Sequence, residues 1–286
     1  MLLIVGFFVV LGCVIGGYVM AGGHIEVLWQ PYEFLIIFGA AAGAYIIGNP
    51  ITVLKKTGGA VASALKGPRY KKEAFLELLS LLYSVFKLAK TKGMLALEQH
   101  VENPHDSALF AQFPIFAKDH HAMTFLCDYL RLMTLGTENS HEMESLIDEE
   151  LETHAQEEHE VSHAIQNMAD GMPALGIVAA VLGVIHTMGS ITEPPEVLGH
   201  LIGGALVGTF VGVWTSYGFI APIANSIRST HESEMRYLHC IKSGLLAHLQ
   251  GYPPAVSIEF ARKALQSHVR PTFYEVEEST QKLQPV

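Results

Sequence analysis

The sequence predicts an all-α polytopic membrane protein, with four transmembrane helices and a helical cytoplasmic domain, and three observations predict it. Half of the 286 residues are hydrophobic and the mean hydropathy is positive, which is too apolar for a single soluble core of this size. Four segments reach the roughly 20 apolar residues that a helix needs to cross hydrocarbon: Leu2 to Ala21, Phe34 to Leu54, Met172 to Ile191 and Leu198 to Ile220. Lys and Arg gather on one side of them. Lys55, Lys56, Lys66, Arg69, Lys71 and Lys72 follow the second segment, and Arg228 and Arg236 follow the fourth, whereas the links Gly22 to Gln30 and Thr192 to Val197 hold neither.

Cationic loops stay in the cytoplasm, so both hairpin tips face outward and both termini lie inside. The expected division is residues 1–54 as a first hairpin of two spans, 55–170 as a cytoplasmic helical domain, 171–224 as a second hairpin and 225–286 as a cytoplasmic helical tail. Met1 to Gly23 carries no charge, so the first span is expected to remain as a membrane helix instead of serving as a signal peptide. Val10-Leu11-Gly12-Cys13 has the form of a lipoprotein cleavage box but lacks the basic stretch that precedes one.

After the second span, residues 55–72 mix glycines and Pro68 with six cations, as expected of a strip against anionic headgroups. From Glu73, the residues Phe75, Leu78, Leu79, Leu82, Val85, Phe86 and Ala89 recur at helical spacing and describe one buried face. Lys87, Lys90 and Lys92 favour the end of that helix, and Gly93 terminates it. Met94 through Glu98 begins another helix, closed by Asn103-Pro104. Further helices are expected over Ser107 to Phe116, Asp119 to Leu135, Ser140 to Met168, Tyr237 to Leu249, Ser257 to Ser267 and Phe273 to Gln281.

The segment Ser140 to Met168 holds nine acidic residues, among them Glu150, and no Lys or Arg. It reads as a solvated face or as a docking surface for a basic partner. The net charge of −10 argues against nucleic acid as a partner. Cys13, Cys127 and Cys240 are scattered and odd in number, which fits no disulfide framework.

Gly204, Gly208 and Gly212 recur every four residues and stack on one face of the fourth span, where they let another helix approach closely. Gly12-Gly16 and Gly39-Gly43 repeat the device in the first two. Pro173 and Pro222 stand at the cytoplasmic ends of the third and fourth spans, either as boundary punctuation or as bends that relay motion. Thr209 lies near the middle of the fourth span, where its hydroxyl either bonds the backbone one turn back or lines a hydrated route. Neither of these spans contains Asp, Glu, Lys or Arg, so a carboxylate able to carry a proton has to come from a partner. No metal or other cofactor is expected. His159-Glu160-Val161-Ser162-His163 matches HExxH, the helical zinc-hydrolase pattern, but a third ligand and a closed cleft would have to be assumed. A membrane zinc peptidase built on His159, Glu160 and His163 is the enzyme alternative.

The stretches Pro173 to Val184, Leu206 to Val213 and Gly244 to Tyr252, set in two hairpins around a large insertion, resemble the MotA family of flagellar stator subunits within the MotA/TolQ/ExbB channel superfamily. TolQ and ExbB proteins have fewer spans, and a unit of that kind energising an outer-membrane system is a second alternative. The resemblance implies a pentamer around a MotB dimer in the bacterial inner membrane. MotB would supply the membrane Asp and a grip on peptidoglycan, and proton flow would become torque on the rotor protein FliG. It further implies that Ala180 and Thr209 line the pore, and that Pro173 and Pro222 couple conformations. Lys90 and Glu98, with Glu150, would face the rotor. A small apolar residue at Ala180, where sodium-driven relatives tend to have Thr, leans toward protons.

Overall fold

The computed structural model describes residues 2–137 and 139–283. Among them four helices are long and apolar enough to cross a membrane. The chain divides into two compact units, one made of the residues up to Gly67 with Gln156–Thr230, the other of Pro68–Ala155 with the residues from His231 onward.

In the first unit, α1 (Leu2–Met20) is followed by the short α2 (Ile25–Leu28) and by α3 (Pro31–Gly48). Pro31 occupies the first turn of α3, where its missing N–H costs nothing and its fixed φ suits a helix. The second span therefore starts earlier and ends earlier than Phe34 to Leu54. Pro50 causes the early end: it forces Asn49 into an extended conformation (φ −132°, ψ 142°), and a separate helix, α4 (Ile51–Lys66), begins beyond it. The residues expected as a headgroup strip are thus largely an amphipathic helix. Val53, Ala60 and Ala64 of α4 are buried in one cluster with Val161, Ala164, Ile165, Ala224 and Ile227, and Lys56 pairs with Glu157 at 3.1 Å.

The second unit is built on α5 (Lys72–Lys92), whose periodic residues Phe75, Leu78, Leu79, Leu82, Val85 and Phe86 are all buried. Each such side chain contributes about 1.5–3 kcal/mol when fully buried. Gly93 ends α5 at φ +85°, a region that other residues avoid. After a tight turn at Met94–Leu97 comes α6 (Glu98–Glu102). The continuous helix expected over Ser107 to Phe116 is absent. Phe113 is held out of the helical region (φ −122°, ψ 78°) ahead of Pro114, while Ser107 turns its hydroxyl to His100 at 2.8 Å and accepts from the N–H of Phe110 at 3.3 Å. A single 3-10 turn at Phe110–Gln112 and the short α7 (Pro114–Ala117) form there, followed by α8 (His120–Thr134).

The acidic segment and the third span are one helix, α9 (Ser140–Met188), which runs on through Pro173. Part of its acidic face is used internally. Lys242 pairs with Asp148 at 2.6 Å and reaches Glu144 at 3.8 Å. The fourth span, α10 (Pro195–Thr215), continues through a widened turn, Ser216–Ile220, directly into α11 (Ala221–Leu249). The chain then forms α12 (Pro254–Lys263), shorter and earlier than Ser257 to Ser267, and α13 (Phe273–Gln281), as expected. Gly244 lets α11 close on α5, since a Cβ there would lie 3.1 Å from Leu82 Cδ1. Thr272 and Glu275 form a capping box at the start of α13. Hydrogen bonds from Lys72 and from the Thr272 N–H hold the Glu275 carboxyl down at about 2.

Asp119 is the polar anchor of the second unit. It is 1% exposed, it caps α8 by accepting from the Ala122 N–H at 3.2 Å, it accepts from the Tyr70 hydroxyl, and Arg69 lies 3.5 Å away. Tyr70 in turn stacks on the buried Tyr237 with ring centroids 4.0 Å apart. Asp119→Ala is expected to uncap α8 and strand the Tyr70 hydroxyl, at a cost of roughly 2–4 kcal/mol. Thermal unfolding of the detergent-solubilised protein checks this, with Asp119→Asn, which keeps the cap, expected to lose less.

Candidate functional site

The two uncharged spans touch through their main chains. A Cβ on Gly176 of α9 would fall 2.7 Å from the carbonyl oxygen of Gly208 and 3.1 Å from the Cα of Gly212; one on Gly212 would fall 2.7 Å from the Met172 carbonyl oxygen and 2.8 Å from the Gly176 Cα. No side chain fits in either place. This contact sets the positions of the pore candidates. The Ala180 N lies 3.2 Å from where a Gly208 Cβ would be, and the Thr209 Cα lies 3.3 Å from where a Gly176 Cβ would be. Ala180 and Thr209 are therefore neighbours across one seam, and both are half-buried. Thr187 spends its hydroxyl on the Gly183 carbonyl one turn back, at 2.9 Å. Thr209 makes no such bond in the structure.

The upper part of the same glycine column serves a different purpose, one not foreseen from the sequence. Gly204 faces Gln30, whose amide nitrogen would lie 3.1 Å from an added Cβ, and Gly208 faces Glu33, whose Oε2 would lie 2.7 Å away. Oε1 of Glu33 approaches Gly183 in the same way, at 3.1 Å. Oε2 is buried and takes no hydrogen bond. The α9 and α10 spans hold no carboxylate of their own, yet α3 inserts one between them. Pro31, which marks the true start of α3, was the signal that placed Glu33 inside the span.

Both prolines lie within helix continuations instead of at helix ends. Pro173 is internal to α9, and Pro222 follows the widened turn, where the Ala221 N–H reaches back to the Ser216 carbonyl. Ser216, fully buried, donates to the Ala169 carbonyl at 2.6 Å; the sequence reading passed over it.

Lys90 and Glu98 are both exposed, on either side of the Gly93 turn. Glu98 lines a cleft of about 390 Å³ with Lys92, His100 and Glu102. Burial, with Lys92 nearby, lowers the His100 pKa. Glu150 differs from these two, because it accepts the hydroxyl of Tyr129 on α8. His159 and His163 share α9, where Asn167 occupies the His163 ring at 3.2 Å. Among the described residues no group of three His, Cys, Asp or Glu is placed to hold a metal.

Four apolar spans, two of them in main-chain contact with a buried carboxylate at their seam, and a separate helical unit define a polytopic α-helical membrane protein. Comparison with known proteins gives the particular one. The models for the motility protein A N-terminal region and for the MotA/TolQ/ExbB proton channel family match residues 4–93 and 117–239. Motility protein A of Salmonella typhimurium is 43% identical over 97% of this chain and 94% of its own length. Chemotaxis protein LafT of Vibrio parahaemolyticus is 38% identical over 95% of each. Among solved structures, the flagellar MotAB stator complex from Bacillus subtilis superposes with a TM-score of 0.73 at 25% identity, covering 90% of this chain and 92% of that one. The C. jejuni MotAB structure gives 0.77 at 18% identity, covering 93% and 95%. The chain belongs to the motility protein A branch of the MotA/TolQ/ExbB proton channel family. It is a flagellar stator subunit and not an enzyme, and the peptidase alternative falls with that.

Gly212→Ala is expected to force α9 and α10 apart, costing about 1–3 kcal/mol and abolishing swimming. Gly199→Ala, where nothing lies within 4 Å, is expected to leave both intact. Thermal unfolding and swimming speed of the two variants, compared at equal membrane levels, provide the check.

Proposed function

We propose that this subunit forms its proton path along the α9 and α10 seam, with Ala180 and Thr209 lining it, as part of a pentamer around a MotB dimer in the inner membrane. The observation that carries this reading is the seam itself: two uncharged spans in main-chain contact, with the Thr209 hydroxyl free of a backbone bond. MotB supplies the membrane Asp, and Glu33 is a second carboxylate at the outer half of the path. Protonation of a carboxylate in a low-dielectric passage changes its solvation by several kcal/mol, enough to drive one packing state into another. Pro173 and Pro222 relay that change to the cytoplasmic helices. The residues 55–170 and 225–286 are cytoplasmic, with both termini inside, and residues 1–54 and 171–224 are the two membrane hairpins.

Lys90 and Glu98 meet opposite charges on FliG. They suit contacts that form and release quickly, being exposed and, among the described residues, without an ion-pair partner. Lysine keeps the charge at position 90 but lacks the bidentate fork of arginine. Glu150 is a weaker rotor candidate, because its carboxylate is already engaged by Tyr129.

Motility of a stator-deleted strain expressing this chain with its partner tests the ion. Collapse of the proton gradient is expected to stop rotation while collapse of the sodium gradient does not; the reverse result overturns proton coupling. Thr209→Trp is expected to block swimming with flagella fully assembled. Reversing both Lys90 and Glu98 is expected to lower torque sharply with normal membrane insertion, read from tethered-cell rotation.

A further inference from the structure

Pro173 has no N–H, so the carbonyl of Ala169, four residues earlier in α9, loses the donor of its helical bond. Ala169 is fully buried, where an unpaired carbonyl is costly, and a Ser or Thr hydroxyl from a neighbouring helix is one of the few replacements on hand. Ser216 fills that role. Its Oγ donates to the Ala169 carbonyl at 2.6 Å, and the residue is fully buried.

Ser216 also opens the widened turn of the fourth span. Its own carbonyl accepts from Ala221, five residues on, so the turn Ser216–Ile220 carries one residue more than a regular helix. Pro222, which likewise lacks a donor, follows at once. One hydroxyl thus joins the two places where the paired spans depart from regular helical bonding.

We propose that Ser216 is the positioning residue that makes the Pro173 junction and the widened turn before Pro222 a single joint. When α9 bends at Pro173, the Ala169 carbonyl tilts, and its bond draws on the first residue of the turn. A turn with a spare residue can exchange five-residue for four-residue bonding without leaving a group unpaired, so displacement at one proline reaches the other. The functional half of this inference rests on the stator reading; the bonding half rests on geometry alone.

A double-mutant cycle in the full chain separates the two. Ser216→Ala is expected to lower the unfolding midpoint in detergent by about 2–4 °C. It is expected to have no further effect in the Pro173→Ala background, because that substitution returns an N–H to Ala169. An equal loss in both backgrounds overturns the bonding claim. In cells that also express MotB, Ser216→Ala is expected to lower stall torque several-fold at unchanged membrane levels. Ser216→Thr, or Ser216→Cys if the threonine variant does not reach the membrane, is expected to retain most of it. Normal torque in Ser216→Ala, or full loss in the variant that keeps a donor, overturns the positioning role. If the unmodified chain drives no rotation at all, the stator reading fails, and the unfolding cycle still decides the bond.

Discussion

Direct contact between the main chains of α9 and α10 is the constraint on which the membrane unit depends. Lipid tails are as apolar as the side chains of these spans, so no hydrophobic gain brings such helices together. What remains is dispersion at close range, and close range requires that Gly176, Gly208 and Gly212 carry no side chains. The backbones of Ala180 and Thr209 border the seam, Ala180 against Gly208 and Thr209 against Gly176, because those glycines let the helices close. The same column also admits polar side chains from the N-terminal end of α3: Glu33 lies against Gly208, beside the α9 backbone, and Gln30 against Gly204. A single sequence repeat thus serves first as a packing surface and then as a polar recess.

Backbone bonding imposes the second condition. A span that contains proline must find donors elsewhere, and here the supply is local: a neighbouring serine for Pro173 and a widened turn ahead of Pro222. The helices consequently pass through both prolines without ending. Elsewhere the same problem is solved by ending the helix, as at Asn49-Pro50 after α3 in the first unit and at Phe113-Pro114 in the second.

Much of this was legible in the sequence for a physical reason. Long apolar runs, cations confined to one side, and the periodic face of α5 are one-dimensional signals, and all-α spans follow from them. Seeing that the glycine column marks a close contact needed only the four-residue spacing. Its partner was not legible, since spacing does not say whether backbone or a glutamate lies opposite. Glu33 was missed because hydropathy places a charged residue outside a span, whereas Pro31 places it inside. Ser216 was missed because a lone hydroxyl in an apolar run has meaning only beside the Ala169 carbonyl, which lies 47 residues away in the chain. The long acidic segment read as a solvated face or as a docking surface for a basic partner, and the sequence did not show that Lys242 and Lys56 draw on it from distant positions of the same chain.

The amphipathic helix α4 is held to α9 and α11 by two kinds of contact, a set of buried methyl groups and the half-exposed Lys56–Glu157 pair. The pair's charges stand 3.1 Å apart, well inside the Debye length of about 8 Å at 0.15 M, so added ions weaken their attraction only in part, and the methyl contacts carry no charge for ions to screen. The seating of α4 on these two helices therefore depends little on ionic strength.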